Sequence, residues 1–329
     1  MNYRPWGSVE WALSLTGKKQ WTYVGAIGTE ERSICAWNLL QSGGHIAHSY
    51  LVEIHDVDSD KYKKINEKFL KDRKQQFVLA GGNTNSIFHF HLLDEYFRIN
   101  NFIRDASKNA SSVILDISSL PKRFFFPMLR SLMSMEDIQD VLVTYTSPAN
   151  YAEDAPLYED IEPWRVLPGF GSVIEKNPEL WIVSIGFLVE SLRHYATDNP
   201  QDKMKILVPF PAPLSSVRRG WESVLALEQG YTERRFDKFR VDTLDMAAAF
   251  DRIISIAGTP RKHVAFAPYG PKPTSVAMCL YAMQCDASVH YAQPTVYHPR
   301  YSIGIKNSDP NTAVSAYWIR HGGESLYTI

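Results

Sequence analysis

Four consecutive stretches decide the fold: Ser112-Val-Ile-Leu-Asp-Ile117, Ser118-Ser-Leu-Pro-Lys-Arg123, Phe124-Phe-Phe-Pro-Met-Leu-Arg-Ser-Leu-Met133 and Asp140-Val-Leu-Val-Thr-Tyr145. The first and last are short, apolar and rich in β-branched residues, which is how buried strands read. The second is a tight loop. The third is a mostly apolar run long enough to be a helix. A strand, a helix and a strand at this spacing pair in parallel through a right-handed crossover.

The same rhythm extends towards the N-terminus. Trp21 to Ile27 reads as a strand and Arg32 to Leu40 as a helix, with Thr29 as its cap and Glu30 and Glu31 favourable in its first turn. His48 to Ile54 is a strand, Lys61 to Lys74 a Lys-rich helix, and Gln76 to Leu79 a short strand running into Gly81-Gly82-Asn83-Thr84. Asp94 to Ala106 reads as a helix. The segment from Pro148 to Pro178 holds five prolines with Gly169 and Gly171, the composition of an irregular connection.

Beyond it the pattern restarts. Strands are expected at Leu180–Ile185, Met204–Pro209, His263–Ala267 and Ala287–Tyr291. Helices are expected at Phe187–Tyr195, Ser215–Glu228, Thr243–Ile256 (capped by Thr243 or Asp242) and Thr274–Gln284. The halves also share residues in the same order. Gly28 corresponds to Gly186, Leu51-Val52 to Leu207-Val208, Pro121-Lys122 to Pro271-Lys272, and Tyr145-x-x-Pro148-x-x-Tyr151 to Tyr291-x-x-Pro294-x-x-Tyr297. The offset shrinks steadily from 158 residues to 146, as small deletions in a second copy would make it. The expectation is an α/β chain of two duplicated Rossmann-like domains with mainly parallel sheets and pseudo-twofold packing. Residues 1–165 form the first domain, 166–178 the connection and 179–329 the second.

The 329 residues are 45% hydrophobic and 22% charged, too apolar for a disordered chain. Lys+Arg (35) and Asp+Glu (36) nearly cancel, which argues against the basic excess of a duplex nucleic-acid binder. Cys35, Cys279 and Cys285 lack metal-ligand spacing and read as reduced thiols, so a cytoplasmic location is expected. No signal-peptide pattern and no apolar run of ~18–20 residues is present, so no membrane association is expected.

Ligands of open parallel sheets bind outside the carboxyl ends of the strands, at helix N-termini. The residues expected there are Thr29, Glu31, Arg32 and Asn83, then Asp116, Ser118, Ser119, Lys122 and Arg123, and in the second half Tyr269, Gly270 and Lys272. Ser-Ser-Leu-Pro-Lys-Arg offers backbone N–H groups, two hydroxyls and two cations to a phosphate. It is not a Walker A loop, and neither half carries GxGxxG, so no dinucleotide cofactor is expected. Asp116 ends an apolar strand and needs a partner, with Arg32 or Lys122 in reach as a cation; Asp116 and Lys122 are also the candidates for catalysis. His89-Phe-His91 puts two imidazoles on one face of an extended segment, but no third ligand stands at a telling spacing, so no metal is expected. Tyr145, Tyr151, Tyr291 and Tyr297 are candidates for stacking on a base.

The strand ending in Asp116, followed by Ser118, Ser119 and Lys122 before an apolar helix, resembles the CARF-type Rossmann sensors of CRISPR-linked and antiphage proteins, in which Asp-x-Thr/Ser-x-Gly-x-Lys stands at this place. Leu120-Pro121 departs from that pattern. The resemblance implies binding of a nucleotide-type messenger at a twofold interface, here within one chain, as a sensor or accessory component of prokaryotic antiphage defence. Two other readings stand beside it. One is an enzyme that cleaves or modifies a nucleotide or phosphorylated small molecule; the other is a non-catalytic subunit that holds a protein partner.

Overall fold

A computed structural model describes residues 3–17, 19–55, 61–152, 157–172, 177–186, 192, 194–195, 198, 203–211, 214–229, 236–258, 262–306 and 310–329. In chain order the first elements are β1 (Trp6–Ser8), α1 (Val9–Ser14), β2 (Trp21–Ala26), α2 (Cys35–Ser42), β3 (Ile46–His55), α3 (Lys63–Leu79), β4 (Ile87–His91), α4 (Tyr96–Ser107), β5 (Ser112–Asp116), α5 (Lys122–Ser134) and β6 (Asp140–Thr146). Three short strands follow: β7 (Pro148–Tyr151), β8 (Tyr158–Ile161) and β9 (Arg165–Val166). The second series is β10 (Leu180–Ser184), β11 (Met204–Pro209), α6 (Leu214–Gln229), β12 (Asp237–Val241), α7 (Met246–Ala257), β13 (Val264–Pro268), α8 (Lys272–Ala282) and β14 (Ser288–Tyr291). The chain closes with β15 (Pro294–Tyr297), β16 (Ser302–Ile305), the helical turn α9 (Pro310–Ala313), β17 (Val314–His321) and β18 (Glu324–Ser325).

The protein is mixed α/β with mainly parallel sheets. In the first unit β4, β3, β2, β5 and β6 run parallel in that order, and β17 adds antiparallel to β6. In the second unit β12, β11, β10, β13 and β14 run parallel in that order, and β9 adds antiparallel to β14. The five parallel strands of each sheet thus have the order third, second, first, fourth, fifth, as in Rossmann-like sheets; β9 ends the second sheet, while in the first β17 also pairs antiparallel with β1 and β18. Strands β2, β5, β6, β10 and β13 are buried along their whole length. That is why they read as continuous apolar runs rather than alternating ones: helices cover both faces of a parallel sheet. The Phe124-Phe125-Phe126 run is core, fully buried on α5.

The units are residues 1–161 with 294–327, and residues 162–293 with the last two. The second expected domain, 179–329, therefore loses its tail to the first unit. The tail is not a separate hydrophobic layer: β17 is a buried strand whose ladder partner is β6, and Trp318 packs edge-on against Trp21 at 5.6 Å. Pairing across such a sequence distance leaves no local signal. The three short strands of 148–178 have partners far along the chain: β7 pairs β16, β8 pairs β15 and β9 pairs β14.

Three local expectations need correction. Gln76 to Leu79 is the last turn of α3, which buries Phe77, and the strand of that unit is β4, after the glycines. The first turn after β2 is a 3-10 turn capped at Glu30, not at Thr29. Helix α7 is capped by Asp245, whose Oδ1 accepts from Ala248 N at 2.8 Å, rather than by Thr243 or Asp242. The expected helix at Phe187–Tyr195 lies mostly outside the described residues.

Candidate functional site

In the first unit the chain leaves β2 towards β3 on one side and β5 towards β6 on the other. The carboxyl ends of β2 and β5 therefore form the topological switch point, where open sheets of this kind have their crevice. Residues 28–31 leave β2 there and residues 117–121 leave β5. The two loops are neighbours: Ser119 Oγ lies 3.4 Å from Ala26 O, and a Cβ built on Gly28 would meet nothing closer than Ser119 Cβ at 4.0 Å. Thr29, Ser119, Lys122 and Arg123 are partly exposed there, and Glu31 is exposed.

Asp116 does not reach that surface. It is fully buried. Oδ2 accepts from the Tyr23 hydroxyl at 2.9 Å; Oδ1 accepts from Ser118 Oγ at 2.5 Å and from Ser118 N and Thr144 Oγ1, each at 3.2 Å. Ser118, also fully buried, in turn accepts from Thr146 N at 2.8 Å. A carboxylate held by four donors on two other strands and a loop locks the loop onto the sheet. Burial, with Asp116 alongside, pushes the Tyr23 phenol well above its usual range. Burial also lifts the Cys35 thiol to about 11, with Asp116 adding to it, so this cysteine is not a thiolate at neutral pH.

Arg32 is buried as well. Its guanidinium donates to Glu30 Oε2 at 2.9 Å and to Thr146 O at 3.2 Å. Burial, the largest single effect, works against its charge, but Glu30 together with Tyr145 and Tyr151 outweighs it and raises its pKa. Arg123 donates to Leu93 O at 3.1 Å and Asp94 O at 3.2 Å, tying the loop after β4 to α5. Lys122 opens α5, with no acidic residue in that first turn, and burial pushes its ammonium down to about 8. Asn83 belongs elsewhere: it is exposed, it caps the short turn before β4, and it lies at the amino end of that strand.

The second unit repeats the construction with a different outcome. Helices α5 and α8 both begin with Lys directly after a proline cap. At the switch point between β10 and β13, however, the loops touch backbone to backbone. A Cβ on Gly186 would sit 1.8 Å from Tyr269 O, and one on Gly270 would sit 1.9 Å from Ser184 Oγ. Tyr269 is buried, 5.4 Å from the Tyr291 ring and 5.9 Å from Trp164. Lys272 and Gly270 are partly exposed. Tyr145 is buried, with Arg32 over its ring at 5.8 Å, while Tyr151 and Tyr297 both stand edge-on to Tyr301.

Sequence reading missed Tyr23, Thr144 and Thr146, which hold Asp116 and Ser118. A threonine inside the apolar run of β6, in register opposite Asp116, was the available signal. An open depression of about 260 Å³ lined by Val9, Leu13, Leu39, Leu40 and Gly43 lies at the amino end of β3, away from the crevice.

No protein-family model and no curated protein matches the chain. Among solved structures it is similar to a universal stress protein from Archaeoglobus fulgidus DSM 4304, with 13% identity over 83% of this chain and 96% of that one and a TM-score of 0.23. It is also similar to PlmKR1, the ketoreductase of the first module of phoslactomycin biosynthesis in Streptomyces sp. HK803, with 9% identity over 85% and 67% and a TM-score of 0.23. Likenesses at this level carry no argument about function.

Proposed function

We propose that the first unit binds a nucleotide or other phosphorylated ligand in the crevice between the carboxyl ends of β2 and β5, and that the chain is a ligand sensor or accessory component, of the CARF-like kind in antiphage defence. The observation that carries the ligand class is the pairing of an open switch point at Gly28 with a helix whose first turn holds Lys122 and Arg123 and no acid. The positive end of a helix dipole favours an anion, and Lys122 and Arg123 add cationic side chains to that end.

The reading is binding rather than turnover, because Asp116 spends its lone pairs on Tyr23, Ser118 and Thr144. Duplication of an α/β module accounts for the shared strand order and the matching Pro-Lys helix starts, and it supports the comparison with sensors built from two such modules. A cytoplasmic setting fits three free cysteines, two of them buried.

The test is thermal-shift screening of the full chain against mono-, di- and cyclic nucleotides and inorganic phosphate. A ligand at a hundred times its Kd stabilises by about 2.7 kcal/mol. The expected result is a hit whose affinity falls at least tenfold in Lys122→Ala, with the ligand recovered intact. No hit among phosphorylated compounds would overturn the reading, and parental affinity in Lys122→Ala would remove the site. Conversion of the ligand, lost in Asp116→Asn, would move the reading to an enzyme.

A further inference from the structure

Strands β3 and β4 pair in parallel with Glu53 opposite His89 and His55 opposite His91. Glu53, His55 and His89 converge there. His55 Nε2 is 3.5 Å from Glu53 Oε1, His89 Nδ1 is 3.4 Å from Glu53 Oε2, and the two ring nitrogens are 3.3 Å apart. The carboxylate is 3% exposed, while the imidazoles are 44% and 62% exposed. Lys74 Nζ, 2.5 Å from Glu53 Oε2, balances the buried charge.

The spacing is informative. Charge-assisted N–H···O bonds close to about 2.7–2.9 Å, and neither imidazole does so with Glu53. Ligands on a tetrahedral ion with bonds of about 2.0–2.2 Å stand about 3.3–3.5 Å apart; the two ring nitrogens show that separation, and each ring nitrogen shows it to a different oxygen of the Glu53 carboxylate. One buried carboxylate oxygen and two imidazoles with outward access make a three-ligand set that leaves a fourth position for water. The third ligand that His89-x-His91 lacks along the sequence is supplied by the neighbouring strand.

We infer that Glu53, His55 and His89 form a binding site for a divalent transition-metal ion with zinc-like preference for nitrogen and oxygen donors. The site is separate from the crevice at Gly28 and does not depend on the proposed phosphate ligand. Rigid strands hold two of the ligands on β3 and one on β4, so only side-chain torsions adjust when the ion enters. The half-exposed imidazoles give it a way in.

The experiment adds Zn²⁺ alone to chelator-treated full-length protein and follows binding by calorimetry, with Co²⁺ as a spectroscopic reporter. The expected result is one ion per chain, a rise in unfolding temperature on Zn²⁺ addition, and the visible absorption of tetrahedral Co²⁺. His89→Ala changes an exposed side chain and leaves the fold intact, and His55→Ala is nearly as exposed. Each is expected to weaken Zn²⁺ at least tenfold, as loss of a ligand does, while His45→Ala binds like the parent. Absence of stoichiometric binding in the parent, or parental affinity in both His55→Ala and His89→Ala, would overturn the inference.

Discussion

The hydroxyl of Tyr23 donates to Oδ2 of Asp116 across 2.9 Å, in the interior beneath the carboxyl edge of the first sheet. This bond joins β2 to the end of β5, the two strands whose loops border the crevice. Asp116 therefore acts on any ligand through the backbone it fixes. Asp116→Ala leaves the Tyr23 and Thr144 hydroxyls and the Ser118 N–H without an acceptor, and each unsatisfied buried group costs about 1–3 kcal/mol. Urea unfolding is expected to show a loss of about 3 kcal/mol or more, with Asp116→Asn losing clearly less because its amide still offers an oxygen. Equal stability of both variants with the parent would contradict the network.

Lys122 sets stability against binding. Its ammonium is pushed down to about 8 from 10.5, so the unfolded chain holds that proton more tightly and stability gains from this group as pH rises from about 8 to about 10.5. Lys122→Met is expected to unfold at a higher temperature than the parent at pH 7, with the gap narrowing above pH 8. The same variant is expected to bind phosphorylated compounds more weakly. In the parent, such binding is expected to decline as pH is raised through 8, where the cation is lost. A melting series from pH 6 to 10, with and without ligand, checks both signs.

The two switch points respond oppositely to a methyl group. Gly186→Ala puts a Cβ 1.8 Å from the Tyr269 carbonyl oxygen, an overlap with backbone that no rotamer relieves. Overpacking of this sort costs about 1–3 kcal/mol and sometimes more. Gly28→Ala meets Ser119 Cβ only at 4.0 Å and is expected to stay within about 0.5 kcal/mol of the parent. Comparison of the two unfolding midpoints decides it.

Asp140 links the ends of the first unit in the same manner. Lys19 pairs with its Oδ2, while His321 Nδ1 lies 2.9 Å and Gly322 N 3.2 Å from its Oδ1. Burial alone would raise its pKa, but these partners, Lys19 foremost, bring it below the usual aspartate value of 3.8. The stability it contributes is full above pH 3.8 and is lost as pH falls through its lower folded value. Asp140→Asn is expected to flatten the acid limb of stability against pH, and an unchanged limb would speak against the link.

Much of the fold is legible along the chain because parallel strands buried on both faces announce themselves as uninterrupted apolar runs. Trp21–Ala26, Val113–Leu115 and Val264–Ala267 need no context to be recognised. Gln76 to Leu79 misleads for a physical reason: four residues cannot show whether their period is 2 or 3.6, and Phe77 is buried on a helix as it would be on a strand. The site is partly legible. Ser119 and Lys122 stand at the crevice, while Arg32 and Asp116 are engaged inward by Glu30, Thr146 and Tyr23. Thr146 and Tyr23 sit on other strands, and Glu53 meets His89 only through strand register. Distances of this kind exist only once the sheet is assembled.

Strand β17 is the antiparallel neighbour of β6, although about 170 residues separate them and the whole second sheet lies between. On a ribosome adding roughly 5–20 residues per second, the first sheet waits about ten to thirty seconds for its last strand. During that interval the backbone of β6 presents unsatisfied amides and carbonyls, an invitation to any passing strand. A nascent chain halted before Val314 should recruit chaperones that release it once His321 has emerged.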